Sequence, residues 1–418
     1  MRYTSRFLVL ALLWGYPGRA AEPVHLADLV TEALAANREV LAAQKKYEAA
    51  RQRPAPARSM PEPMLSLGYA SNGGPLPGQG LGKDPTSNIG LMVSQEIPYP
   101  GKLKLKGDIA VREAEAEFQQ YQAVQLSVRS RVDQAFHRLH HTWEALQILA
   151  EGKEILDSVI KVSEARYSAG KTPQQDIFRA QTQLSMMETR IIRMQQDQHT
   201  AEAELNALLN RQPGSPMGEP VSEDSPALVR TVDELLAKAA ATAPELRRAI
   251  AMIQRGELGV NLAKKEFHSD YTVAAGYFNQ GGMAPMYQVR VDIPLRLHAD
   301  SRQRPALNEQ VDLLGEAKRN FEASEQNLQF RVREAYLAAQ TAWRLRTLYA
   351  DTIAPQTQLM VESSLAAYQN GAADLISVLN NLSAKVDAQE QLHEQELNYA
   401  IALARLEEMT GVAMKESR

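Results

Sequence analysis

The sequence predicts a mainly α-helical protein with a transmembrane β part. Three observations lead to this fold class: two long stretches almost free of proline, a pattern that repeats along the chain, and four short segments in which apolar and polar residues alternate. Together they predict two internal repeats of long α-helical hairpins, which form an α-barrel, plus four strands that contribute to a 12-stranded trimeric β-barrel.

Long helices are predicted on both sides of one short turn. Between residues 101 and 211 the only proline is Pro173, and an interior proline costs a helix about 3 kcal/mol. The sequence therefore predicts a helix over 101–168, a turn around Gly170 and a helix over 173–211, with Gly170 suited to a C-cap. A helix of about 68 residues is about 100 Å long, which no ordinary globular domain accommodates.

The second half of the chain follows the same plan. A helix is predicted over 298–369, a turn around Gly371 and a helix over 373–411. Matching residues recur in the same order in both halves, which indicates an internal duplication. The predicted division is a signal peptide at 1–20, a first repeat at 21–215, a linker at 216–231 in an equatorial region, and a second repeat at 232–418.

Each repeat begins with a shorter helix, predicted at 25–53 and at 232–267 from apolar stripes with helical spacing. In each repeat the two shorter helices together nearly equal the long one in length. We therefore expect them to stack end to end, antiparallel to the long helix.

Each repeat also carries a β-hairpin, predicted at about 62–97 and about 270–294. Apolar residues alternate with small or charged ones, as in a strand with lipid on one side and water on the other. Glu96, Arg290 and Asp292 fall on the polar face and are candidate barrel-lumen residues. A soluble four-stranded sheet with one buried face is the alternative, and the export signal and the length of the helices favour the barrel.

Four strands cannot close a barrel, and open edges are not tolerated in hydrocarbon. Two chains would give eight strands with an interior filled by side chains, whereas three chains give twelve strands and an aqueous pore. Because the three charged lumen candidates need water, we expect a homotrimer whose strands contact lipid.

The composition excludes several other classes of protein. Hydrophobic residues make up 44% of the 418 residues and the mean hydropathy is −0.35, which excludes a polytopic helical membrane protein. The absence of cysteine excludes disulfide scaffolds, thiol nucleophiles, cysteine-ligated zinc and an acylated N-terminal cysteine. The net charge of −4 provides no basic excess for duplex nucleic acid, so no nucleic-acid partner is expected.

The first 20 residues have the features of an export signal. Arg2 and Arg6 precede an apolar run at 7–14, which is too short to span a bilayer. Small residues stand before a cleavage point after Ala20. We expect the mature chain to be exported; a buried N-terminal helix is the alternative.

With these features in place, the sequence resembles the TolC-type outer-membrane efflux channel family over nearly all of the mature chain. One signature is the pair of helix turns at 167–170 (YSAG) and 368–371 (YQNG), and another is the segment 95–103 (QEIPYPGKL) between a strand and the first long helix. Together with 60–64 (MPEPM), the second signature is similar to the branch of the family linked to heavy-metal resistance pumps.

The resemblance implies a homotrimeric conduit in the bacterial outer membrane that extends into the periplasm. It implies two partners, a periplasmic adaptor (membrane fusion) protein and an inner-membrane RND pump, and a channel that performs no chemistry and holds no cofactor. Heavy-metal cations are the expected substrate. Multidrug export and type I protein secretion remain open alternatives within the family, and a periplasmic coiled-coil adaptor is the alternative from another class.

The resemblance also implies a constriction at the periplasmic tip. The gate candidates are Asp176, Asp374, Tyr167 and Tyr368, and Gly170 and Gly371 are the repeat-turn glycines. The place in the second repeat that is equivalent to Asp176 holds Ser377, and a further place that is commonly acidic in the family holds Asn380, so the sequence departs from the doubly acidic pattern. Helix capping is the alternative role for Asp176 and Asp374.

No metal or catalytic site is predicted. His137 and His141 are spaced for two metal ligands on one helical face, next to His140, but no HExxH motif is present and solvated histidines are commoner. The methionines are mostly scattered, and packing explains them more simply than a metal relay. No phosphate-binding loop or nucleophile motif is present, so the chain is not expected to be an enzyme.

Overall fold

A computed structural model describes residues 23–71, 76, 78–221, 227–412 and 414. The predicted signal peptide lies outside the described residues, as does part of the predicted linker. The first repeat contains five helices and two strands. In chain order they are α1 (Leu26–Ala36), α2 (Arg38–Gln52), α3 (Pro54–Arg58), β1 (Met64–Ala70), β2 (Asn88–Ile97), α4 (Lys102–Ser168) and α5 (Gln174–Leu208).

The second repeat has a similar order of elements, but within the described residues it has no counterpart of α3 and its long helix is divided into two. Its elements are α6 (Val232–Thr242), α7 (Pro244–Lys265), β3 (Tyr271–Asn279), β4 (Met286–Asp292), α8 (Gln303–Leu348), α9 (Ala354–Gln369) and α10 (Leu375–Thr410). The mainly helical fold class with a four-strand contribution is therefore confirmed. Among the described residues, no helix combines the length and apolar character needed to cross a membrane.

The first shorter helix is interrupted, which the helical stripe did not predict. Asn37 has ψ 129° and its side chain accepts hydrogen bonds from the backbone N–H groups of Glu39 and Val40, so α2 starts anew. The amide of Asn37 also donates to the carbonyl oxygen of Leu208 at 2.9 Å, across to the end of α5. The interruption therefore allows one polar side chain to cap α2 and satisfy the C-terminus of α5.

The second shorter helix is interrupted at the corresponding place for a different reason. Pro244 lacks a backbone N–H and stands at the first position of α7, while Ala243 before it is extended with ψ 121°. A proline disfavours the helical conformation of the residue that precedes it. The predicted continuous helix at 232–267 is thus two helices, α6 and α7.

The last long helix also differs from the prediction of one helix over 298–369. It begins only at Gln303, and a π-helical turn at Tyr349–Ile353 separates α8 from α9. Pro355 follows in the first turn of α9. Because Pro355 cannot donate a backbone hydrogen bond, the ladder of the α-helix is broken there. The uninterrupted α4 has no proline between Lys102 and Ser168.

The four strands form a single antiparallel sheet in the order β1-β2-β3-β4. Two of the pairings lie within a repeat, and the pairing of β2 with β3 joins the two repeats. β1 and β4 are the edges of this sheet, and neither has a strand partner on its outer side within the described residues.

The helices lie beside one another as four columns. The long helix α4 packs against α1, α2, α3 and α5 on one side and against α7 and α10 on the other, and these two also pack against α8. On α2, Glu39 pairs with Arg131 of α4 (2.5 Å) and Lys46 pairs with Glu117 (3.0 Å). On α5, Glu188 pairs with Lys153 of α4 (3.0 Å) and Glu204 pairs with Arg138 (3.1 Å), so both helices run antiparallel to α4. The shorter helices thus stack end to end along the long one, as expected.

The largest apolar core lies where these stacked helices meet the middle of α4. Leu29 and Ala33 from α1, Phe136 and Leu139 from α4, and Leu205 from α5 are almost completely buried there. The second repeat builds an equivalent core from α6, α7, α8 and α10. The two cores hold the equatorial part of the molecule together.

Candidate functional site

The two hairpin turns at one end of the columns have the same backbone geometry. Gly170 has φ +69° and Gly371 has φ +77°, a region that glycine adopts without steric cost. The N–H of Gly170 donates to the carbonyl of Tyr167 at 2.8 Å, and that of Gly371 to the carbonyl of Tyr368 at 3.0 Å. Both long helices therefore end in a left-handed glycine C-cap, the geometry that the glycine positions predicted.

The structure distinguishes the two tyrosines that the sequence treats as equivalent. Tyr368 is 1% exposed, and its hydroxyl is 2.9 Å from the hydroxyl of Ser163 on α4. The guanidinium of Arg166 lies 4.8 Å from the centroid of the Tyr368 ring and donates to the Tyr368 carbonyl oxygen. Tyr167 is 44% exposed. Tyr368 therefore joins the two hairpins, whereas Tyr167 faces outward from this chain.

The two candidate gate carboxylates stand at helix N-termini. Asp374 is the N-cap of α10, and its carboxylate accepts a hydrogen bond from the N–H of Ser377 at 3.0 Å. Hydrogen bonding by Ser377, through its side chain and its backbone, lowers the pKa of Asp374. Asp176 lies in the first turn of α5 and is partly buried. Both positions favour a negative charge, because they face the positive end of a helix dipole.

The three lumen candidates share one face of the sheet. Glu96 pairs with Thr272, which pairs in turn with Asp292, so these residues form one row across three strands. Arg290 stands two residues before Asp292 on the same face, and its Nε lies 2.9 Å from a carboxylate oxygen of Asp292. The register thus brings all three charged side chains to the face that the alternation assigned to them.

An aromatic side chain covers glycines on that same face, which sequence reasoning did not identify. A Cβ at Gly90 would lie 2.4 Å from the Phe278 ring, and a Cβ at Gly276 would lie 2.7 Å from it. The Phe278 ring therefore occupies the space above both glycines. Gly90 and Gly276 inside the predicted strands were the signal in the sequence, because a glycine within a strand often marks the close approach of another group.

The opposite face of the sheet is apolar and uncovered. Leu67 on β1 is 77% exposed, and Tyr287 and Val289 on β4 are 75% and 78% exposed. Such a contiguous apolar surface marks a contact with a membrane or a partner.

The segment QEIPYPGKL ends in a polar cluster between the sheet and the helices. Lys102 is 1% exposed, and its Nζ lies 2.9 Å from a carboxylate oxygen of Glu266 and 3.0 Å from one of Asp270. The carboxylate of Asp270 also accepts a hydrogen bond from the N–H of Tyr99 at 2.6 Å. In the sequence this segment is only a family signature, whereas in the structure it ties α4 to the end of α7.

The histidines lie at the middle of the columns and do not form a metal site. His137 Nε2 is 3.4 Å from Asp133, and His140 Nε2 is 3.6 Å from Glu144. Among the described residues, no group of three or more His, Cys, Asp or Glu side chains is arranged to hold a metal ion.

The fold was compared with solved structures. The chain resembles the channel CusC with a TM-score of 0.79 and 18% identity, covering 96% of this chain and 95% of that one. It resembles the outer membrane channel CmeC of Campylobacter jejuni (TM-score 0.78, 16% identity, 96% and 90% covered). It also resembles the outer membrane protein VceC of Vibrio cholerae (TM-score 0.76, 16% identity, 93% and 97% covered). The fold is thus that of outer-membrane channels over most of the chain.

A family model matches part of the first repeat. Residues 29–211 match the family model for outer membrane efflux proteins. No match is found among the curated protein sequences. The predicted resemblance to the TolC-type outer-membrane efflux channel family is confirmed, and this is a family of conduits rather than of enzymes.

The asymmetry between the two tyrosines can be tested with a matched pair of variants. Tyr368→Phe removes one buried hydrogen bond and should lower the free energy of unfolding by about 1 kcal/mol. Tyr167→Phe removes an exposed hydroxyl and should leave it unchanged. Thermal unfolding of the two purified variants measures the difference, and equal midpoints would contradict the assigned role of Tyr368.

Proposed function

We propose that the protein is the outer-membrane channel of a tripartite efflux system, a passive conduit from the periplasm to the exterior. The observation that supports this proposal most directly is that the two faces of the sheet differ. One face is apolar and uncovered, and the opposite face bears Glu96, Arg290 and Asp292. Lipid suits the first face and a water-filled lumen suits the second. The helical columns continue from one end of this sheet, so they extend the lumen as a tunnel.

Closure of the conduit requires further copies of the chain, and we propose a homotrimer. The edge strand β1 follows α3 in the first column, and the other edge strand β4 precedes α8 in the last column. The unpaired strand edges and the two outer helical columns therefore lie on the same two sides of the chain. A head-to-tail contact of one copy's last column with the next copy's first column closes a ring, and three copies supply twelve strands around an aqueous pore.

Exposed apolar residues on the two outer columns support this arrangement. Ile192 on α5 is 66% exposed and Leu359 on α9 is 64% exposed. Both lie between the equatorial core and the hairpin turns. Buried contacts between copies would remove these side chains from water, which contributes about 25 cal/mol per Å² of apolar area.

The ring can be tested at these two positions. Ile192→Asp and Leu359→Asp each place a charge in the proposed contact and should lower the temperature at which trimers dissociate, because burying an unpaired charge is costly. Val229→Asp, at a 91% exposed position between the repeats, is the control. Light scattering of the detergent-solubilised protein gives the mass, and a monomeric wild type would overturn the trimer.

We propose that the tip of the hairpins is the periplasmic constriction and the docking place of an adaptor protein, which couples the channel to an inner-membrane RND pump. Asp176 and Asp374 are the proposed charges of the gate, with Tyr167 exposed beside them and Tyr368 positioning the two hairpins. In a trimer the two carboxylates would recur three times around the axis, and rings of carboxylates favour the passage of cations.

Asparagine variants separate the gate role from helix capping. Asn caps a helix about as well as Asp but carries no charge. Asp176→Asn and Asp374→Asn should therefore retain the fold while lowering the preference for cations in planar bilayers. Asp197→Asn, at an exposed position on α5, serves as the control. If both gate variants keep the cation preference of the wild type, the carboxylates are caps only.

For the substrate we propose heavy-metal cations, on the similarity of the segments 60–64 and 95–103 to the metal-resistance branch. Multidrug export and type I secretion are the competing substrates. A soluble adaptor is less consistent with two hairpins that are each fed by a strand pair. The proposed location is the bacterial outer membrane, after cleavage of a signal peptide near Ala20.

Deletion of the gene decides the substrate. In a strain without redundant channels, loss of the protein should lower tolerance to copper, silver, zinc or cobalt and leave drug tolerance unchanged. The opposite pattern supports the multidrug alternative. Fractionation is the companion measurement: a protein that stays soluble without detergent would exclude the channel.

A further inference from the structure

Three histidines meet at the contact between α4 and α10, in the middle of the columns. His140 and His141 project from α4, and His393 lies on α10 with its Nδ1 3.0 Å from a carboxylate oxygen of Glu396. The other oxygen of Glu396 accepts a hydrogen bond from Nε of Arg346 on α8, at 3.0 Å. The cluster therefore joins three helices and both repeats.

One ring nitrogen of the cluster lacks a hydrogen-bond partner among the described residues, while several charged groups surround the three rings. The Nδ1 atom of His141 is buried and has no hydrogen-bond partner, and the ring faces the backbone of His393. His140 Nε2 lies 3.6 Å from a carboxylate oxygen of Glu144. The charged groups that face the three rings are Glu144 on α4, Glu394 and Glu396 on α10, Arg346 on α8, and Glu219 in the connection after α5.

We propose that His140, His141 and His393 form a proton-sensitive contact between α4 and α10, which holds the two repeats together at neutral pH and weakens when the medium is acidified. Arg346 lies in the last turn of α8, directly before the π-helical turn at Tyr349–Ile353, so the contact is next to this turn. Weakening the contact would free the end of the second helical hairpin that carries the turn at Gly371. The helical hydrogen-bond ladder is already interrupted at the π-helical turn.

The protonation preferences of the three rings differ. Burial lowers the pKa of His140 and of His141 from the ordinary value of 6.5, and the positive charge of His393 lowers both further. Burial acts in the same sense on His393, but the hydrogen bond to Glu396 and the negative charges of Glu396 and Glu144 together outweigh it, so the pKa of His393 is raised. Acidification therefore protonates His393 before His140 and His141.

Acid acts on this arrangement in a defined direction. A histidine whose pKa is lowered by folding binds fewer protons when folded than when unfolded, so its contribution to stability falls as the pH drops below 6.5. His393 has the opposite sign: its stabilising contribution is complete below 6.5 and is lost as the pH rises through its raised pKa. Below 6.5, continued acidification therefore places two further positive charges beside the His393 cation.

Hydrogen exchange of the full-length wild-type protein tests the proposal. Corrected for intrinsic rates, the opening equilibrium of the backbone amides over 388–399 should rise about tenfold for each unit of pKa depression between about pH 6.5 and about pH 5. The double variant His140→Gln and His141→Gln should abolish most of this rise. His199→Gln is the control, because His199 is 77% exposed and paired with Glu202 on α5.

A second variant acts from the other side of the contact. His393→Gln removes the cation that opposes protonation of His140 and His141, so it should reduce the acid-induced rise without replacing either ring on α4. The proposal is overturned if the double variant and His393→Gln respond to acid as His199→Gln does. These measurements follow the helices themselves, so their outcome is independent of what the protein transports.

Discussion

Lateral burial of α4 is the constraint on which the rest of the molecule depends. A helix of 67 residues extends about 100 Å, and helix propensity alone does not stabilise such an element in water. Its neighbours cover it on two sides, and small side chains allow them to approach closely. The buried small residues of α4 are Gly107, Ala110, Ala114, Ala116, Ser130, Ala135, Ala145, Gly152 and Ser163. Because both sides are covered, α4 connects the first repeat to the second.

The same constraint explains why the shorter helices come in pieces. A column as long as α4 can be built from two helices only if the backbone N–H and C=O groups at their adjoining ends find hydrogen-bond partners. Asn37 performs this for α2 and α5 through one side chain. Thr242 of α6 donates to the carbonyl of Thr410 at the end of α10, at 2.6 Å. The two repeats thus solve the same end-to-end problem with different residues.

Buried polar contacts mark three levels where elements change. Lys102 lies where the sheet passes into the helices, the histidine contact lies at the equator, and Arg166 with Tyr368 lies at the tip. Between these levels apolar and small residues dominate the buried positions.

The sequence by itself determined the duplicated plan, the long helices and the facing of the strands, because periodicity and proline placement are local signals. Glu96, Arg290 and Asp292 could be assigned to one face from alternation alone. Only the tertiary structure decided the distinction between Tyr167 and Tyr368, the burial of Lys102 and the meeting of His393 with His140 and His141. These depend on side chains that are distant in sequence, and on which of two locally similar turns is covered by a neighbouring helix.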